Sequence, residues 1–143
     1  GSLQAALRMD FAVNEDLHTQ MKKLVLDVLD PARVWTLRLS GIQIATEFAL
    51  RQHLSESEAL TEILRAVALC SEEGRYSQLR EAAVDCFNKV LEAVAKKKAV
   101  IGRDVLGNMQ QRLYDIAEND KNTSVRAAAL RAQEHLGAIP MEE

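Results

Sequence analysis

The chain has 143 residues, 48% of them apolar and 27% charged, with a formal net charge of −3 at pH 7. That length suits one domain, and the interspersed charges lack the concentrated basic face on which duplex binding rests. No apolar run approaches the roughly 20 residues of a membrane-crossing helix, and the first twelve residues carry no secretory pattern.

Residues 15 to 29 place Leu17, Met21, Leu24, Val25, Val28 and Leu29 at steps of three and four, one face of a helix. Asp30-Pro31 then punctuates the chain, with Asp30 as N-cap and Pro31 at the first position of a second helix. That helix is expected to reach about Gln52, with Val34, Leu37, Gly41, Ala45 and Phe48 inward. Ser55-x-x-Glu58 reads as a capping box for a third helix carrying Leu60, Ile63, Leu64, Val67 and Ala68 and ending at Ser71 to Gly74. A fourth, from about Tyr76 to Ala95, buries Leu79, Ala82, Ala83, Cys86, Val90 and Val94. Lys96, Lys97 and Lys98 close it where cations suit the negative end of the helix dipole. A fifth helix runs from about Gly102 to Glu118 with Val105, Leu106, Met109, Leu113 and Ile116 inward. Thr123 caps a sixth that carries Leu130 and Leu136, and Gly137 with Pro140 stops it. Residues 1 to 13 read as the remnant of a preceding helix or a cap, with Leu3, Leu7 and Phe11 covering the open end. Gly1-Ser2 reads as a cloning remnant, so the chain is expected to be a piece of a longer one.

Few aromatics, two prolines and abundant Ala, Leu and Val point to an all-α chain. Its second helices superpose in register. Val34, Leu79 and Val125 are 45 and 46 residues apart, and Gly41, Cys86 and Ala132 fall at shared small-residue positions. Such a helix-pair period, about 40 to 47 residues, is that of HEAT and armadillo arrays. Asn119-Asp-Lys-Asn-Thr-Ser-Val-Arg-Ala-Ala-Ala-Leu-Arg-Ala resembles the HEAT pattern of an acidic turn, Val-Arg and an alanine-rich second helix. The resemblance spans about residues 15 to 137. It implies an α-solenoid of about three helix pairs (15–52, 55–95 and 99–137, with 138–143 as a tail), and the alternative is a closed five- or six-helix bundle. The family's Asp–Arg ladder maps to Asp120 and Arg126. Trp35 stands where the first pair should have arginine, and Gly74 where the second should have aspartate, so the ladder reads as broken in two of three pairs.

Catalytic chemistry has little to stand on. His18, His53 and His135 lie far apart without metal-ligand spacing, and none is followed by the Glu that HEAT-like hydroxylases would imply. Cys70 and Cys86 fall on apolar faces without an evident basic partner, as small hydrophobes do, and two cysteines suit a reducing compartment, cytoplasmic or nuclear. No phosphate loop, nucleophile elbow or Cys-x-x-Cys is present. No metal, cofactor or catalytic residue is expected.

Trp35, Arg80 and Arg126 occupy equivalent positions, with Arg38, Asn88, Lys89 and Arg131 nearby on the same second helices. Trp and Arg are the side chains most enriched at binding hot spots, which makes this stripe the candidate protein-binding surface. The resemblance implies a competing role, in which the arginines tie neighbouring repeats and Trp35 caps the first. The expected function is therefore a non-catalytic interaction module of a HEAT-repeat scaffold or adaptor, recognising another protein along its concave second-helix layer. The alternatives are a purely structural segment of a longer solenoid or a weak binder of nucleic-acid backbone, the latter disfavoured by Glu47, Glu81, Asp85, Glu92 and Glu134. Open terminal faces favour self-association of the isolated fragment.

Overall fold

The computed structural model describes residues 15–51, 58–96 and 101–139. Among the described residues it is all-helical, with six helices and no strand: α1 Glu15–Val28, α2 Trp35–Arg51, α3 Glu58–Cys70, α4 Ser77–Ala95, α5 Arg103–Asn119 and α6 Thr123–Leu136. Leu3, Leu7, Phe11, His53, Ser55, Lys97, Lys98 and Pro140, and the side chains of Leu17 and His18, lie outside the described residues, so the expected N-terminal cap and capping box do too.

The helices form three consecutive pairs, and every substantial contact lies within a pair or between neighbouring pairs. First helices α1, α3 and α5 pack in that order, as do second helices α2, α4 and α6. One core runs through all three pairs, from Met21 and Val25 through Phe48, Ile63, Phe87 and Leu91 to Leu113, Ile116 and Val125. Each of these residues lies on a three- or four-residue stripe, so burial follows from helical periodicity. The shared small positions matter here. A Cβ on Gly41 would sit 2.7 Å from Val28 Cγ1 and 3.0 Å from Leu29 Cδ2, so glycine allows α2 to lie close on α1. Cys86 and Ala132 are buried at the same register.

Several expectations need correction. Asp30 does not cap α2. Its Oδ1 accepts from Ala32 N at 2.8 Å and its carbonyl accepts from Arg33 N at 2.9 Å, a turn with Asp first and Pro second. Helix α2 starts four residues later, where the Val34 carbonyl takes the first helical bonds from Leu37 and Arg38. At α6 the cap is Asn122, not Thr123; Asn122 Oδ1 accepts from Val125 N at 3.1 Å.

Val34 and Leu37, expected inward, are 66% and 40% exposed, and Leu24 is exposed as well. The reason for the α2 pair is positional. Their counterparts in the next pair, Leu79 and Ala82, are buried and half-buried, and nothing precedes α1–α2 among the described residues to cover the first set.

Leu130 and Leu136 both lie on α6, but only Leu136 is buried. Leu136→Ala is expected to cost about 2–3 kcal/mol, the low end of the range for a core leucine because it closes the last turn. Urea unfolding measures it, and a loss under about 0.5 kcal/mol, the scale of an ordinary surface change, would show that the last turn is not packed.

Candidate functional site

The turns between paired helices carry one recurring device. Each holds a carboxylate that accepts from the backbone N–H two residues ahead: Asp30 from Ala32 at 2.8 Å, Glu73 from Arg75 at 3.3 Å and Asp120 from Asn122 at 2.9 Å. The side-chain bond fixes the carboxylate's direction. In the second and third turns the same group also receives an arginine from the preceding pair. Arg38 Nη1 donates to Glu73 Oε2 at 3.0 Å, and Arg80 donates through Nε and Nη2 to the two oxygens of Asp120 at 2.8 and 3.1 Å. The latter is a fork-to-fork pair, the strongest geometry for these groups.

An arginine–carboxylate ladder thus closes between both neighbouring pairs, through Arg38–Glu73 and Arg80–Asp120 rather than through Trp35, Gly74 or Arg126. Glu73 lies next to Gly74, and Arg38 lies about one helical turn beyond Trp35. Trp35 itself stacks on Tyr76 of the next pair, with ring centroids 5.2 Å apart and planes 18° from parallel. Lys22–Glu62, Arg112–Ser71 and Ser124–Glu81 bonds, each 3.0 Å, add further ties between pairs.

The seven candidate residues therefore separate. Arg38 and Arg80 are 3% and 8% exposed and engaged between pairs. Arg126 donates to the Asp120 carbonyl and to Thr123 Oγ1 at 3.2 Å. Trp35 and Asn88 are half-buried, and the buried Asn88 Oδ1 has no partner. Lys89 and Arg131 remain exposed on the second helices. Between α2 and α4 the same layer opens a groove of about 540 Å³, lined by Ser40, Gln43, Ile44, Glu47, Asp85 and Lys89 with Ala82 and Cys86 at its floor.

Acidic and basic side chains are mixed on this layer. Glu47 pairs with Arg51 at 3.2 Å and Glu92 with Lys96 at 3.1 Å. Asp85 has its pKa raised, first by loss of hydration and then by Glu81, against the opposing pull of Arg131 and Lys89. A raised folded pKa means that Asp85 favours folding at low pH and that this contribution is lost as pH rises through the folded value. Asp85 is exposed, so solvent screens much of this effect, and Asp85→Asn should raise the melting temperature at pH 7 only slightly, by less than about 1 °C. The gain should vanish as pH falls below the carboxylate range; a lower melting temperature at pH 7 would contradict this assignment.

The ladder carboxylates shift the other way. Burial opposes ionisation of Asp120, but the hydrogen bonds from Arg80 and Asn122 outweigh it, and its pKa is lowered. The Glu73 carboxyl is lowered chiefly by the Arg38 hydrogen bond.

The cysteines offer no nucleophile. Burial pushes the Cys86 thiol up to about 11 and raises Cys70 too. Cys70, contrary to expectation, has a basic neighbour, since Arg38 Nη2 donates to its Sγ at 3.7 Å. That arginine is already held by Glu73, and burial prevails over its pull on the thiol. Among the described residues no group of three or more His, Cys, Asp or Glu side chains could hold a metal ion, and no helix is long and apolar enough to cross a membrane. No family model, curated protein or solved structure matches this chain.

Proposed function

We propose that the chain is an open α-solenoid of three HEAT-like helix pairs serving as a non-catalytic protein-interaction module, with the solvent side of its second-helix layer as the binding surface. The observation that carries this reading is the division of labour among the second-helix side chains. Arg38, Arg80 and Trp35 are occupied between pairs, which leaves the groove between α2 and α4, with Asp85 and Lys89 in it and Arg131 beyond, free to meet a partner. A groove on a layer held by ion pairs and stacked rings is pre-organised, which lowers the ordering cost of binding. Both cysteines are free and buried, which suits a reducing compartment such as the cytoplasm or nucleus. The occupied arginines equally favour the second reading, a structural segment of a longer solenoid. They disfavour a nucleic-acid binder, whose phosphate contacts need free cations.

Site-specific photo-crosslinking separates these readings. Probes at Ser40, Lys89 and Arg131 should yield one common protein adduct in cells, while probes at exposed Arg65 and Gln111 on the first helices should not. A Gln43→Arg/Asp85→Arg variant should lose the adduct with its melting temperature within about 2 °C of the parent. Equal adducts from both layers, or none from the second, would sink the interaction surface and leave the structural reading.

A further inference from the structure

We infer that copies of this chain associate head to tail, the α5–α6 end of one against the α1–α2 end of the next, with Arg126 donating to Asp30 across the junction. The inference rests on the open stack of pairs proposed above but not on its partner-binding groove.

Among the described residues the ladder has one open member at each end. Arg38 and Arg80 each close an ion pair with the acidic turn of the following pair. Arg126 matches Arg80 in register and, as Arg80 does with the Glu73 carbonyl, anchors Nη1 on a carbonyl of its own turn, that of Asp120. Yet it forms no ion pair among the described residues. At the opposite end Asp30 is held by the Ala32 N–H in the manner of Glu73 and Asp120, and among the described residues no arginine side chain donates to it. A donor at one end and an acceptor at the other are set for the same bond.

The apolar positions agree. A position buried in the central pair and exposed in a terminal one is covered by a neighbouring pair. Val84 is fully buried on α4, whereas its counterpart on α6, Leu130, is 54% exposed. Tyr114, 53% exposed, stands where α3 has half-buried Ala68. Facing the other way, Leu79 is fully buried on α4 while Val34 is exposed on α2. One end thus offers Tyr114, Leu130 and Arg126, and the other Val34, Leu37 and Asp30. The two sets differ, so the contact is heterologous and can propagate beyond a dimer. A second copy is the occupant because this chain carries both halves of the contact in the register it already uses internally.

Sedimentation velocity over a concentration series is the test. The intact 143-residue protein should form dimers and longer species as concentration rises. Arg126→Glu/Leu130→Glu blocks one end, and Asp30→Asn/Val34→Glu blocks the other; each should raise the apparent dissociation constant about tenfold or more. Mixed in equal amounts, the two variants retain one parental junction between them and should form a 1:1 dimer and nothing longer. Leu69→Glu, at an exposed leucine elsewhere, should leave association unchanged, and circular dichroism reports whether each variant is folded. A parent protein that stays monomeric to about 1 mM, or folded end variants that associate as the parent does, would overturn the inference. So would a mixture of folded variants that fails to pair. Loss of association with the cross-linked partner retained would leave the groove reading intact.

Discussion

Arg80→Ala should be among the most destabilising single changes in this protein, costing about 3–5 kcal/mol in urea unfolding. The side chain is 10% exposed and its Asp120 partner 6%. Truncation strands a buried carboxylate whose other bond, to Asn122 N, shapes the turn ahead of α6. It also removes the donor to the Glu73 and Gly74 carbonyls. Replacing both partners by apolar residues would not restore the parent, because those backbone groups would still lack their bonds. The loss should be pH-dependent. A carboxylate whose folded pKa is lowered adds stability that is fully present above its unfolded value, about 3.9 for aspartate. That stability is lost as pH falls through the folded value. Asp120→Asn should therefore be less stable than the parent at pH 7 and nearly equal to it in strong acid. If Arg80→Ala instead costs under about 0.5 kcal/mol, the ion pair is not closed in solution and the arginine returns to the binding stripe.

Phe87→Ala should cost about 3–5 kcal/mol by the same measurement. Phe87 is fully buried in the middle of α4, which packs on α2 and α6, so the site cannot collapse toward solvent. Gln133, its counterpart on α6, provides the internal comparison. Gln133→Ala removes a buried amide nitrogen without a partner, and its effect should lie within about 0.5 kcal/mol of zero. Similar losses at both positions would mean that the central and terminal pairs are equally covered. The logic of the two chain ends would then fail.

The helices were legible because their signal is local. Met21 and Val25, Ile63 and Val67, Leu113 and Ile116 sit on stripes that any short window displays, and all are buried. What covers a stripe is a tertiary matter. Val34 and Leu130 have the same pattern as Leu79 and Val84, yet the first two are exposed and the last two buried, because among the described residues only the central pair has a neighbour on both sides. The ladder was half legible for a related reason. Alignment by fixed register pointed to Trp35 and Gly74, whereas an arginine side chain is long enough to reach from one helical turn away, and Glu extends further than Asp. Hence Arg38 and Glu73 form the rung beside the aligned positions. One signal was available: Asp30, Glu73 and Asp120 each lie a few residues before a second helix. The stacking of Trp35 on Tyr76 had no such signal, since it joins residues from different pairs.

Cys86 turns the seam between the first two pairs into a clock. Its thiol lies at the floor of the α2–α4 groove, is 1% exposed and is raised to about 11, so it is inert while the helices stay in contact. Alkylation must then wait for a local opening, and its rate counts those openings in the native protein. Cys70, buried beside Arg38 at the ladder, times the same seam from its turn side. If the pairs separate one at a time, the two thiols should be modified at different rates well below the unfolding midpoint. If the stack opens as a unit, they should react together.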